Sequence, residues 1–165
     1  MRKCWIISWT VARVAAAILL LGWGALHLRP FDSYLCVSVP TWSRIPAVIL
    51  IICGGLLVLA CGAILSTRGI LTSRDRFFPK EFVAIGPFRY LRNPMSLGVV
   101  LLMLGLGLYE SSASMVLFAL ALFLLLHLLV VYMEEPGLEK RFGESYREYK
   151  RSVRRWLPAF RRRKS

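Results

Sequence analysis

The chain has 165 residues, of which 57% are hydrophobic and 19% charged, and its formal net charge is +13. Soluble domains average about a quarter charged residues, so this composition favours a lipid-embedded chain over an ordinary soluble domain. A charge of +13 could indicate nucleic-acid binding, but the basic residues are confined to particular loops, which favours membrane topology and attraction to anionic lipids instead. We therefore expect membrane lipids, and no nucleic acid, as partners.

Four apolar segments predict membrane spans at about 5–28, 46–65, 94–109 and 114–133. A helix needs roughly 20 apolar residues to cross a bilayer, a length that the second and fourth segments reach and the third does not. Glycines recur in the second and third segments and indicate close packing between helices. The sequence predicts one all-α integral membrane domain over residues 1–165, and it does not indicate an oligomeric state.

The loops differ in charge. Residues 66–92 hold six basic and two acidic side chains, and residues 134–165 hold eleven basic and five acidic ones. Lys and Arg concentrate on the cytoplasmic side of short loops. With Arg2 and Lys3 at the start, four spans would place both termini and the central loop in the cytoplasm, in a bacterial inner membrane or the endoplasmic reticulum.

The first apolar segment could instead be a cleaved signal peptide, because two basic residues precede it. Arg13 interrupts the run, which continues to Leu28 and is long for such a peptide. A retained first span is the favoured interpretation. The four cysteines show no CxxC spacing, so the sequence predicts neither a disulfide framework nor a metal site.

The region after the fourth span has an amphipathic pattern. Pro136 is expected to stop or kink the fourth helix. Five apolar positions then recur at helical spacings of four, four, three and four: Leu138, Phe142, Tyr146, Tyr149 and Val153. This pattern predicts one cytosolic amphipathic helix that lies on the membrane or folds over the bundle, followed by a basic tail, over residues 136–165.

Two polar features interrupt the apolar pattern at helix ends. One is GPFRYLRNPMSLG, residues Gly86–Gly98, which we call the elbow; the other is the pair Glu134-Glu135. By the predicted topology both lie at the same membrane surface. Arginines can hold a carboxylate, and glutamates suit ribose hydroxyls and ammonium groups. Aromatic side chains nearby could cover a purine ring, the candidates being Phe88, Tyr90 and Trp156. These residues indicate a site for a nucleotide-like zwitterion.

The elbow and the later stretch EEPGLEKRFGESYREYKRSVRRWLP resemble the isoprenylcysteine carboxyl methyltransferase and phospholipid methyltransferase family. The resemblance covers roughly residues 82–158, with both motifs in the expected order and spacing. Members of that family are integral membrane enzymes that use S-adenosylmethionine. The resemblance therefore implies this cofactor and a lipid-like or hydrophobic methyl acceptor, of the isoprenylcysteine carboxyl or phospholipid amine type.

The resemblance also implies site residues. Arg92 and Glu135 would be catalytic. The expected cofactor-binding residues are Lys80, Glu81, Phe82, Val83, Phe88, Asn93, Pro94, Met95, Ser96, Glu134 and Glu135. Asn93 and Ser96 stand where the family usually has His and Tyr. Residues 129–132 lack the arginine that serves the substrate in the isoprenylcysteine enzymes, which weakens the expectation of a prenylated-cysteine acceptor.

Other functions remain open at this point. A small four-helix transporter would need a carboxylate within the bilayer, and the four spans contain no Asp or Glu away from their ends. A non-catalytic interaction protein or a degenerate methyltransferase would be consistent with Asn93 and Ser96. Adjacent helical residues point about 100° apart, so we expect one glutamate of the pair to face a ligand directly.

Overall fold

The computed structural model describes residues 19–35, 39–68 and 84–158, and their regular structure is entirely helical. The first helix, α1, includes residues 19–26. The later α-helices are α2 (Arg44–Arg68), α3 (Pro94–Tyr109), α4 (Ala113–Leu129), α5 (Glu135–Phe142) and α6 (Glu144–Ser152). Short 3-10 turns lie at Arg29–Tyr34, Thr41–Ser43 and Gly86–Arg89, and a π-helical turn at Val130–Glu134 joins α4 to α5.

Polar contacts hold two interhelical connections together at one end of the bundle. The Ser114 backbone N–H donates to Asp32 at 2.7 Å, and the Ser114 hydroxyl donates to the Leu28 carbonyl at 2.8 Å. The Ser43 hydroxyl donates to the carbonyl of Leu108. A carboxylate at a helix N-terminus is stabilised by the unpaired backbone N–H groups there. These contacts place the α1–α2 and α3–α4 connections together, so the elbow and the glutamate pair share the opposite end.

Helices α2 and α3 pack backbone to backbone through glycines. A Cβ atom built on Gly54 would lie 2.6 Å from the Gly98 carbonyl oxygen and 2.9 Å from the Leu102 nitrogen. A Cβ atom on Gly105 would lie 3.0 Å from the Ala47 carbonyl oxygen. Without a hydrophobic force between helices in lipid, close van der Waals contact is the main source of helix association, and small residues permit it. This packing confirms the close approach that the glycines predicted.

The predicted spans can be compared with the described helices. Helix α3 covers the predicted 94–109, but its 16 residues are shorter than a typical span. Within the described residues, two helices are long and apolar enough to cross a membrane, Thr41–Leu65 and Ala113–Phe142. Helix α2 begins at Arg44 rather than at Pro46, because a 3-10 turn leads into it. The predicted first span lies largely outside the described residues.

The fourth helix does not stop at Pro136. It runs without a break from Ala113 through the π turn to Phe142. Proline removes a backbone donor and its ring clashes with the carbonyl four residues earlier. The wider π turn directly before Pro136 accommodates this loss, since local π geometry can satisfy the freed backbone groups. The helix therefore continues past Pro136, with one irregular turn before it.

The predicted single amphipathic helix is two helices. Gly143 separates α5 from α6. Its backbone has φ 58° and ψ −130°, a conformation that residues other than glycine rarely adopt. The apolar stripe nevertheless stays together across the break: Tyr146, Tyr149 and Val153 are buried in one cluster, against Leu138 and Phe142. The two helices fold over the polar end of the bundle. The predicted basic tail beyond residue 158 lies outside the described residues.

The α2–α3 contact predicts different effects for two glycines of the same helix. Gly54→Ala must push α2 from α3, because the new methyl group would meet backbone atoms of Gly98 and Leu102. Gly62→Ala, with nothing within 4 Å of its Cβ, should gain about 0.5–1 kcal/mol from helix propensity. Thermal unfolding in one detergent checks this: a Tm for Gly54→Ala at or above that of Gly62→Ala would contradict the packing.

Candidate active site at the polar end of the bundle

The elbow begins as a 3-10 turn and ends as the start of a helix. Gly86–Arg89 forms the turn, and Asn93 precedes Pro94, the first residue of α3. Proline suits that position because the first helical N–H groups have no partner within the helix. Arg92 and Asn93 therefore lie on a fixed bend between the two elements.

Glu135 is the centre of a buried ion cluster. Its side chain is 3% exposed, and its Oε1 lies 3.0 Å from Arg92 Nη1 and 2.7 Å from Arg155 Nε. Arg155 Nη2 donates to the second carboxylate oxygen at 3.0 Å, and Lys150 Nζ lies 3.5 Å from the same oxygen. Three cations from separate segments thus surround one carboxylate. A buried charge needs such partners, because its lost hydration is otherwise uncompensated.

Helix α6 and the segment after it also hold the elbow by hydrogen bonds. The Tyr149 hydroxyl lies 2.6 Å from the carbonyl oxygen of Phe88 and 3.2 Å from that of Leu91, and it donates to these acceptors. The backbone N–H of Arg92 donates to the carbonyl of Arg154 at 3.0 Å. These bonds satisfy backbone carbonyl and amide groups of the elbow that have no partner within a regular helix. The elbow and the C-terminal helices are therefore one structural unit.

A cavity of about 410 Å³ lies between this unit and the helices. Small-molecule sites are typically about 300–1,000 Å³ and mostly apolar, with a few polar groups. Apolar side chains from α1, α2, α3 and α4 make most of the wall. The full lining is Leu21, Ile64, Leu65, Ile85, Phe88, Arg92, Asn93, Met95, Ser96, Val99, Leu122, Leu126, Glu134, Leu138, Tyr146 and Tyr149. The polar groups gather at the end that the elbow and Glu134 form.

Asn93 presents an unsatisfied donor at this cavity. Its side chain is 8% exposed, and among the described residues its amide nitrogen Nδ2 has no hydrogen-bond partner. A buried donor without an acceptor costs about 1–3 kcal/mol. Such a group on a cavity wall is suited to an acceptor from a ligand.

The two glutamates of the pair have different environments. Glu134 lines the cavity, whereas Glu135 faces the ion cluster.

Of the other predicted site residues, five line the cavity: Phe88, Arg92, Asn93, Met95 and Ser96. Pro94 is buried at the start of α3 and, like Glu135, is absent from the lining. Lys80, Glu81, Phe82 and Val83 lie outside the described residues. The binding and catalytic roles of all these residues stay predictions.

Two of the three aromatic candidates for a purine wall lie elsewhere. Tyr90 is 51% exposed. The Trp156 indole donates from Nε1 to His127 Nδ1 at 3.0 Å and packs edge-on against Phe123, with ring centroids 5.1 Å apart. Trp156 therefore anchors the chain after α6 to the side of α4. By accepting this hydrogen bond, His127 helps to hold Trp156 in place.

Several important residues could not be found from the sequence. Arg155 and Lys150 were part of a basic run with no sign of which one reaches Glu135. Tyr149 was expected to pack in an apolar stripe, and it does, but its hydroxyl also holds the elbow.

Tyr146, which packs beside Tyr149, is 2% exposed. Burial, and then the charge of Glu135, raises the pKa of Tyr146 to about 12, so its phenol keeps its proton at neutral pH.

The fold and the cavity define a helical protein with a partly polar cavity at one end of an apolar bundle. The model of the phospholipid methyltransferase family matches residues 42–145, which include α2, the elbow and the glutamate pair. The match covers more than half of the chain, and the protein belongs to this family. Family membership and two apolar helices of spanning length indicate a membrane methyltransferase.

One relative is an uncharacterized protein of Haemophilus influenzae, which is 35% identical over 63 residues. The alignment covers 38% of this chain and 100% of that protein. No solved structure matches the chain.

The ion cluster predicts that Glu135 is important for stability. Glu135→Gln leaves Arg92, Lys150 and Arg155 without their shared counter-charge, and breaking a buried ion pair costs about 3–5 kcal/mol. Glu144→Gln is the matched control, because Glu144 pairs with arginines at 67% exposure, where ion pairs contribute little. Thermal unfolding should show a large loss of Tm for Glu135→Gln alone. Equal Tm values for the two variants would contradict the cluster's role.

Proposed function

We propose that the protein is an S-adenosylmethionine-dependent methyltransferase that acts at the membrane interface on a lipid-like or hydrophobic acceptor. The observation that carries the proposal is the cavity itself, which joins an apolar wall to the unsatisfied amide of Asn93 and the carboxylate of Glu134. A soluble, charged cofactor and an apolar acceptor can meet only where helix ends border water.

The cavity residues fit the cofactor's chemical groups. Glu134 would accept hydrogen bonds from its ribose hydroxyls or ammonium group, and the Arg92 guanidinium would attract its carboxylate. Phe88 offers an aromatic face for the purine ring, and Asn93 and Ser96 offer polar groups beside it. The bound cofactor supplies an electrophilic methyl group on a sulfonium. The family membership supports this cofactor independently.

The apolar wall fits the acceptor. Leu122 precedes Glu134 by twelve residues on one continuous helix, a distance of roughly 18 Å at 1.5 Å per residue. Leu126 lies between these levels on the same helix, and Val99 of α3 also lines the wall. An acceptor with an apolar chain would place that chain among these side chains and its reactive group near the elbow. The protein's part in the reaction is then to align the two reactants and exclude water.

The two tyrosines of the cavity cannot act as general bases, and its carboxylate, Glu134, is assigned here to the cofactor. Tyr146 and Tyr149 are protonated at neutral pH, since burial raises the pKa of both phenols. A carboxylate or thiolate acceptor needs no base, whereas an ammonium acceptor must first lose a proton. We therefore favour an acceptor that reaches the site already deprotonated, or that loses its proton to solvent.

The distribution of Lys and Arg favours a site on the cytoplasmic side of the membrane, with both termini on that side.

The proposal predicts methyl transfer into the lipid fraction. Purified protein in detergent, given cofactor labelled on its methyl group and a total lipid extract, should yield labelled product that partitions into organic solvent. The Glu134→Gln variant should yield less, because it loses a charge-assisted hydrogen bond worth about 1.5–3 kcal/mol. No labelled product, together with no binding of S-adenosylhomocysteine by calorimetry, would rule out the enzyme and leave a non-catalytic interaction protein.

Substitutions of Asn93 test whether its amide contacts the cofactor. Asn93→His keeps a nitrogen that can donate, so it should bind S-adenosylhomocysteine at least as well as the parent. Asn93→Leu leaves the ligand's polar atom unpaired, at about 1–3 kcal/mol, so affinity should fall roughly five- to a hundred-fold. Titration calorimetry on both variants in one detergent gives the comparison. If Asn93→Leu binds as tightly as a binding parent, Asn93 does not contact the ligand.

A further inference from the structure

The π turn between α4 and α5 ends at Glu134, the first glutamate of the pair. It covers Val130–Glu134, and the backbone N–H of Glu135 donates to the carbonyl of Val130, five residues back. An α-helix would use the residue four back. The turn therefore contains one residue more than an α-helical turn, and it rotates every later side chain back by about 100°.

This rotation decides which residues face the cavity. Leu126 and Glu134 both line it, although they are eight residues apart. Eight α-helical steps of about 100° would leave the two side chains about 80° apart. With one surplus residue in the turn, the separation falls to about 20°. The same arithmetic brings Leu138, which also lines the cavity, from about 120° to about 20° of Leu126.

Pro136 explains why the turn widens at this place. It has no N–H for the Tyr132 carbonyl, and in a regular helix its ring would clash with that carbonyl. Proline and π turns are the usual causes of local irregularity in long helices. Tyr132 itself is 73% exposed and does not line the cavity.

We infer that Pro136 and the π turn before it are a positioning device: they set the rotation of the helix from Glu134 onward, so that Glu134 faces the cavity and Glu135 faces Arg92. The inference about Glu134 rests on the proposed function, whereas the inference about Glu135 rests on the ion cluster alone. The turn then contains one residue that a regular α-helix would not need to give Glu134 the same orientation. Removing it should be tolerated, and adding another should not.

Two variants that share Pro136→Ala test this asymmetry. In the first, Tyr132 is deleted, so a regular α-helix carries Glu134 seven steps after Leu126, about 20° away. In the second, one alanine is inserted after Tyr132, so a regular helix turns Glu134 about 180° from Leu126. Both variants change the length by one residue and keep every cavity and cluster side chain.

We expect the deletion variant to keep the parent's Tm and its affinity for S-adenosylhomocysteine. The insertion variant should lose as much Tm as Glu135→Gln, and its affinity should fall at least as far as that of Glu134→Gln, roughly ten- to a hundred-fold. Equal damage in both variants, or an undamaged insertion variant, would overturn the inference. If the parent itself does not bind, the proposed function fails, and the two Tm values still decide the inference.

Discussion

The buried carboxylate of Glu135 is the interaction on which the polar end of the molecule depends. It brings together the elbow through Arg92, helix α6 through Lys150 and the chain after α6 through Arg155. Desolvating this charge is unfavourable, and only the combined attraction of several cations offsets it. The segments that supply those cations are therefore fixed relative to one another. The cavity is the space left between this unit and the apolar helices.

The sequence predicted features that depend on local composition and spacing. The start and end of α3, the close packing of α2 and α3, and the proximity of the elbow to the glutamate pair were all found this way and are confirmed. The division at Gly143 was missed, because five apolar positions keep helical spacing straight across it. The π turn was missed because a proline signals only that the regular helix is disturbed. Which arginine meets Glu135 depends on tertiary folding and has no local signal.

The two neighbouring glutamates have different surroundings, and under the proposed function they have different tasks. Glu135 is neutralised by cations and holds the fold, while Glu134 remains on the cavity wall. In surroundings of low dielectric constant a carboxylate interacts strongly with a nearby positive ligand. A carboxylate already surrounded by arginines would not attract such a ligand. By our inference, the π turn that ends at Glu134 sets the helix rotation that gives each glutamate its own surroundings.

We propose that the cavity between the elbow and the end of α4 binds S-adenosylmethionine. The most direct measurement is an experimental structure of the purified protein with S-adenosylhomocysteine. We predict ligand density in the cavity, with a polar ligand atom within hydrogen-bond distance of Asn93 Nδ2 and the ribose or ammonium group beside Glu134. Density for the ligand at another place on the protein, with this cavity unchanged, would show that the cavity is not the cofactor site.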